Sequence, residues 1–342
     1  MKKILTVLLV LALSFTLFAN AVKETTATSL PVIRVAVMPF YISSPIGYII
    51  DNGLDVANGF KIEPIMFPTG GPMNEAIASD AYDVATIGGA FVFGVANFRA
   101  HVIASHINGT GGNEIWAKAG TPIAATKGYN PAYPNVLGSP ATVKGLKIVQ
   151  NTGTTAQLAI TSWLQAIGVA EKDVNIIHMD FAQSFQAFKA GSADVAALVS
   201  PYCFQTDSTM VKVADLKQLG VQLYEEITLT DKAYKNPEIT KVIPTFLRVL
   251  FQVNDKLEAD KTLKFNAVKK WYNDNGSSAT DANVQAECDL KPFVTTAEAK
   301  AMKLGEYEVL YAAFMVSQDK LTKDKVEVVR ANTTDEFLRK AF

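Results

Sequence analysis

The sequence predicts an α/β protein built as two like lobes joined by a two-segment hinge, and three observations predict it. Strand-like runs alternate with helix-like runs, which implies parallel pairing through βαβ crossovers. The alternation restarts midway: Glu75-Ala-Ile-Ala-Ser-Asp-Ala-Tyr-Asp-Val-Ala85 corresponds to Gln186-Ala-Phe-Lys-Ala-Gly-Ser-Ala-Asp-Val-Ala196 at a constant offset and in the same strand–helix–strand surroundings. Roughly 320 residues follow Ala21, enough for two domains.

The chain opens with Lys2 and Lys3, then an apolar run from Ile4 to Phe18, then the small-x-small pattern Ala19-Asn20-Ala21. This layout is that of a secretory signal over residues 1–21, cut after Ala21. The run is shorter than the about 20 apolar residues of a spanning helix. No cysteine stands near the cut, so a lipid anchor is not expected. A periplasmic location follows for a cell with two membranes.

Ile33 to Met38 is a β-rich run ended by Pro39, and Lys61 to Phe67 a second one, ended by Pro68 and the pair Gly70-Gly71. Met73 to Ser79 is helical, with Pro72 suited to its first turn. Asp83 to Ile87 is a strand stopped by Gly88-Gly89, Phe91 to Phe98 a helix and Val102 to Ser105 a strand. The second series begins with the strand Leu146 to Val149, the turn Asn151-Thr-Gly-Thr-Thr155 and a helix from Ala156 to Ile167 closed by Gly168. The strand Asn175 to Met179, the helix Gln183 to Ala190 and the strand Asp194 to Val199 complete it, ended by Ser200-Pro201. Beyond Tyr224 the pattern changes to Lys- and Glu-rich amphipathic helices over Leu257 to Asn273 and Thr296 to Met315, expected to pack on the first lobe. The chain is then expected to cross between lobes near Ile115 to Pro122 and to return near Glu225 to Asp231. That division assigns residues 32–117 and 229–342 to lobe 1 and residues 118–228 to lobe 2.

A formal net charge of −1, from 32 Lys and Arg against 33 Asp and Glu, gives no basic excess for nucleic acid. Cys203 and Cys288 could pair in an oxidising compartment or remain two buried thiols. His101, His106 and His178 show no metal-ligand spacing with them. No cofactor is expected.

In open parallel sheets ligands bind beyond the carboxyl ends of the strands. Those ends carry Phe40, Tyr41 and Ser43, then Thr69 and Gly70, then Gly89. In the second series they carry Thr152, Gly153, Thr154 and Thr155, then Asp180, then Ser200 and Tyr202. Small hydroxyl residues and glycines let backbone N–H groups approach a ligand, and several stand at helix starts where the dipole favours an anion. Each is also an ordinary N-cap or turn residue taken alone. The turn at Gly153 lacks the lysine of a P-loop, and no GxGxxG follows the first strand, so a nucleotide site is not indicated. Asp180 would attract an amine or simply cap the following helix. None of the five arginines, Arg34, Arg99, Arg248, Arg330 and Arg339, follows one of these strand ends, so bidentate anion capture by arginine is not expected. A small organic anion or amine-bearing zwitterion, walled by Phe40, Tyr41 and Tyr202, fits these residues.

The stretch from Val143 to Ala156, the run Asp173-Val-Asn-Ile-Ile177 and the segment Ala187 to Tyr202 resemble the nitrate/sulfonate/taurine group of substrate-binding proteins of ABC importers, which includes binders of thiamine-pyrimidine precursors. The resemblance implies a type II periplasmic-binding-protein fold, a monomer with its ligand in the hinge cleft, and delivery to a permease with its ATPase. It implies that Thr152, Gly153, Thr154 and Thr155 form an anion-cradling helix start, with Ser200 and Tyr202 on the second lobe's wall. Two other functions fit the same fold: a pyrimidine-precursor synthase, whose cysteine-rich metal motif is reduced here to Cys203 in Pro201-Tyr-Cys-Phe204, and a ligand-sensing module for a membrane receptor.

Overall fold

The computed structural model describes residues 30–277 and 279–342; the expected signal segment 1–21 lies outside the described residues. Ten strands follow in chain order: β1 (Val32–Val37), β2 (Lys61–Met66), β3 (Val84–Ile87), β4 (His101–Asn108), β5 (Asn113–Lys118), β6 (Lys147–Gln150), β7 (Asn175–His178), β8 (Val195–Val199), β9 (Met210–Asp215) and β10 (Tyr224–Leu229). They form two five-stranded sheets, ordered β2-β1-β3-β10-β4 and β7-β6-β8-β5-β9. The duplicated Asp-Val-Ala segments open β3 and β8, which hold the same place in the two sheets.

Each sheet is mixed rather than purely parallel. β1 runs parallel to β2 and β3, and β6 parallel to β7 and β8, whereas β10 is antiparallel to β3 and β4, and β5 to β8 and β9. Both antiparallel strands fill the fourth place of a sheet and are the first strand after the chain changes lobe. No crossover helix feeds them, so nothing obliges them to run parallel. The crossings therefore lie at residues 109–112 and 216–223, ahead of the expected 115–122 and 225–231. Polar residues obscured both strands: Asn113 and Glu114 begin β5, and Glu225-Glu226 sits inside β10, yet these four are only 3%, 9%, 6% and 0% exposed.

Helices cover the sheets and bury the central strands on both faces, so Val84, Ala85, Thr86 and Ile87 are all buried. The helix Ile243–Ala259 presents Phe246, Leu247, Leu250, Phe251 and Leu257 at helical spacing, and all are buried. It packs on the helices Ser44–Asp51 and Glu336–Ala341 of the first lobe. C-terminal segments also bridge the outer strand β4, at Val102 with Thr333 and Ile107 with Phe293, which covers an otherwise open sheet edge.

Two expected helices are broken. The run Leu257 to Asn273 divides at Asp260, whose Oδ1 accepts from the backbone N–H groups of Thr262 and Leu263 at 2.9 and 3.0 Å and starts the helix Lys261–Asp274. Thr296 to Met315 ends its first helix at Ala301, where Met302 turns extended, and restarts at Glu306–Ser317 after Gly305, whose φ of 105° suits glycine. Cys203 and Cys288 are both free, buried thiols.

Candidate functional site

The residues beyond the strand ends of the two lobes meet around a small cavity. Its wall takes Met38 and Phe40 from the segment after β1 and Gly88 to Ala90 from that after β3. Thr154, Thr155 and Phe181 come from the second lobe, with Val199 and Ser200 from the end of β8. Its volume is about 60 Å³, room for a few water molecules.

The lobes are in contact around this space. Phe40 and Phe181 meet edge to face with ring centroids 5.7 Å apart. Gly88 and Gly89 face Thr155 so closely that a Cβ on either would lie 3.6 or 3.1 Å from its Cγ2. At Gly89 a side chain would press on Thr155 and, more closely, on Tyr311 OH at 2.5 Å, whereas at Gly88 a methyl group would make an ordinary contact. Lys320 of the C-terminal segment pairs with Glu171 of the second lobe.

A charged network sits at the back of the cavity. Lys291 Nζ lies 3.2 Å from Glu287 Oε1 and 3.6 Å from Glu225 Oε1, and donates to Ser200 Oγ at 2.8 Å. Ser200 Oγ in turn donates to Glu287 Oε1, which ties the second lobe to the helix Asp281–Leu290. Tyr272 OH donates to Glu287 Oε2, and Tyr41 OH to the Lys291 carbonyl. Trp271 Nε1 donates to the Met38 carbonyl at 3.1 Å, holding the segment that carries Phe40.

Glu225, Glu287 and Lys291 are 6%, 1% and 6% exposed. Burial raises the Glu225 carboxyl above its ordinary value, against the opposing pull of Lys291. For Lys291 burial works to lower the ammonium, but Glu225 and Glu287 together outweigh it and the group is raised. One lysine thus faces two acidic side chains, and Glu225 Oε2 is buried with no hydrogen-bond partner.

Of the residues expected at the site, Phe40, Tyr41, Gly70, Gly89, Thr154, Thr155 and Ser200 line this cavity. Thr69, Asp180 and Tyr202 line a neighbouring one of about 310 Å³ that shares Phe40 and Phe181 with it. Asp180 is exposed there, at the N-cap position of Phe181–Lys189 but with no side-chain capping bond. Ser43 lines neither cavity: its Oγ accepts from Met38 N at 2.9 Å and bonds Thr86 Oγ1 at 2.7 Å.

The four-residue anion cradle is also reduced. Thr152 N donates to His178 Nδ1 at 3.0 Å and Gly153 N to Gln157 Oε1 at 2.9 Å, so side chains occupy those N–H groups. Thr154 Oγ1 accepts from Ala156 N at 3.2 Å, capping the helix Thr155–Ala166. Asn113, Phe181, Glu225, Glu287 and Lys291 were not anticipated. The only sequence signal for Glu225 is an acidic pair inside an otherwise β-rich run.

The family model described as NMT1/THI5 like matches residues 133–252. A protein of Brachyspira hyodysenteriae named as an ABC transporter periplasmic binding protein is 39% identical over 341 residues, covering 99% of this chain and 98% of its own. The fold is shared with the periplasmic aliphatic sulphonate-binding protein of Escherichia coli, at TM-score 0.65 and 17% identity over 88% of this chain and 92% of that one. It is shared too with the periplasmic nitrate-binding protein of Synechocystis, at TM-score 0.71 and 12% identity over 92% and 88%. Among the described residues no helix is long and apolar enough to cross a membrane.

Proposed function

This chain belongs to the ABC transporter periplasmic binding proteins, and from that premise we propose that it captures an amine-bearing or zwitterionic organic solute between its lobes. The observation that carries the solute class is the unpartnered Glu225 Oε2 on the cavity wall. A buried acceptor left unsatisfied costs about 1–3 kcal/mol, and a ligand ammonium or N–H group removes that cost. Phe40, Tyr41 and Phe181 supply apolar faces for the body of the solute. An anionic part has the starts of the helices Phe91–Phe98 and Thr155–Ala166 to face, where the helix dipole favours negative charge.

The remaining assignments follow from the same premise. A cleaved signal over 1–21 delivers a monomer to the periplasm, where it passes its solute to a permease with an ATPase and carries out no chemistry of its own. Cys203 supports a binding role over a catalytic one: its thiol is buried, is pushed up by burial and donates to the Gly112 carbonyl at 3.7 Å.

The test is a thermal-shift panel of sulfonates, carboxylates, amino acids and aminopyrimidines. At 100 times its Kd a ligand stabilises the fold by about 2.7 kcal/mol. Amine-bearing compounds are expected to raise the Tm, and Glu225→Gln to abolish that rise. A panel without a hit at millimolar concentration defeats the proposal. Equal response in Glu225→Gln defeats the assignment of the amine to this carboxylate.

A further inference from the structure

The interlobe cavity and its larger neighbour are walled by the same four stretches of chain. At each, adjacent residues face one space and then the other: Pro39 and Tyr41 about Phe40, Thr69 and Gly70, Asp180 and Phe181, Pro201 and Ser200. Phe40 and Phe181 line both, and their edge-to-face contact across the lobes, at 5.7 Å between centroids, stands between the two spaces.

The spaces differ in size and in wall. The inner one, at about 60 Å³, has room for a head group of a few atoms. Sites for whole organic molecules measure about 300–1,000 Å³, and the outer space, at about 310 Å³, is of that order. The rings of Phe40, Phe181 and Tyr202, with Pro39 and Pro201, give the outer space flat apolar faces. Of its polar side chains, Asp180 is exposed to solvent and Asn275 Nδ2 donates to the Trp271 carbonyl at 2.8 Å. Both lobes build it: Thr69 and Asn275 stand on the first, Tyr202 and Gln205 on the second.

We propose that the outer space is the tail subsite of the capture site, so that the solute is elongated, with a compact polar head in the inner cavity and an apolar tail against Phe181 and Tyr202. This rests on the reading of the inner cavity as the place of capture. The neck of such a solute passes where Phe40 and Phe181 touch, and each ring exchanges an aromatic contact for an aliphatic one, so apolar burial is kept. A tail walled by both lobes is fully held only when they are together. Tail length therefore adds to the differential affinity that favours the closed arrangement. Phe181 and Tyr202 then discriminate between long and short solutes that share a head.

Titration calorimetry of the full mature protein with propylamine, hexylamine, propionate and hexanoate tests this. With a given head, the six-carbon compound should bind about tenfold or more tighter than the three-carbon one. Tyr202→Ala should remove most of that ratio. Gln205→Trp, which brings an indole into the same space from the turn Tyr202–Gln205, should do likewise, and it carries the comparison if Tyr202→Ala fails to fold. Equal affinity of long and short compounds in wild type overturns the proposal, as does a length ratio unchanged in both variants or no binding by any of the four at millimolar concentration. A length ratio among the carboxylates without binding of the amines upholds the tail subsite and defeats the amine head. Amines that bind, weaken in Glu225→Gln and show no length ratio defeat the tail subsite alone.

Discussion

Lys291 shows how a single side chain can hold two lobes together. Its ammonium compensates two buried carboxylates and reaches Ser200 on the other lobe. Replacing a buried pair's cation with an apolar group leaves the partner charges uncompensated, at a cost of about 3–5 kcal/mol. Lys291→Met should therefore lose stability of that order in urea unfolding at neutral pH; a loss below about 1 kcal/mol would mean the network is not a structural tie. His106 is the opposite case, a titratable group with no charge partner. Burial lowers it to about 3, and both ring nitrogens are buried without hydrogen-bond partners. The unfolded chain then takes up the proton first, at about 6.5. Stability is full above that value and falls as pH drops from it toward the folded value. His106→Leu removes the linkage, so wild type should lose about 2 kcal/mol relative to this variant between pH 7.5 and 5. Parallel pH dependence of the two proteins would refute it. Residues such as Phe40, Thr154 and Ser200 were legible because position after a strand is a topological property. Glu225 and Lys291 were not, since their pairing joins segments far apart in the chain and an acid within a strand reads as solvent-facing.

At the scale of elements, local pattern located the strands of the βαβ series and missed β5 and β10, entered from the other lobe, together with β9 at the second sheet's edge. β1, β3, β6 and β8 announce themselves by apolar runs closed by proline, glycine or a polar turn. β5 and β10 carry buried acids whose partners lie elsewhere, Glu114 with Lys212 and Glu225 with Lys291, so their burial is settled only by tertiary structure. The missed division at Asp260 has a similar origin: amphipathic spacing continues across it, and only the cap distinguishes one helix from two. Asp260 satisfies two backbone N–H groups of the helix Lys261–Asp274, which carries Trp271 and Tyr272 to the cavity's supporting network. Asp260→Ala should cost about 1 kcal/mol of stability. Because that helix supports the segment bearing Phe40, the same change should weaken ligand-dependent stabilisation. Unchanged stability in equilibrium unfolding would show that the cap contributes nothing.

The whole molecule is captured with its lobes together, and the contacts that join them are few and specific. Gly88 is the most discriminating of these: a Cβ placed there meets, among the described residues, only Thr155 Cγ2 of the opposite lobe within 4 Å, at 3.6 Å. A methyl group would fit, whereas an indole would need the space that Thr155 fills. Gly88→Trp is therefore a wedge whose Cβ meets no other atom of its own lobe and whose indole obstructs the lobes when they meet. A ligand shifts such an equilibrium only by its differential affinity for the two arrangements. If closure completes the site, the wedge removes affinity without removing any contact within either lobe. The ligand-free variant should unfold within a few degrees of wild type, since surface changes that disturb no packed core are usually within about 0.5 kcal/mol. Small-angle X-ray scattering should show wild type contracting when a stabilising solute is added and Gly88→Trp remaining expanded. Contraction of the variant together with full ligand-dependent stabilisation would mean that the solute is held without closure, and the interlobe cavity would lose its claim to be the capture site.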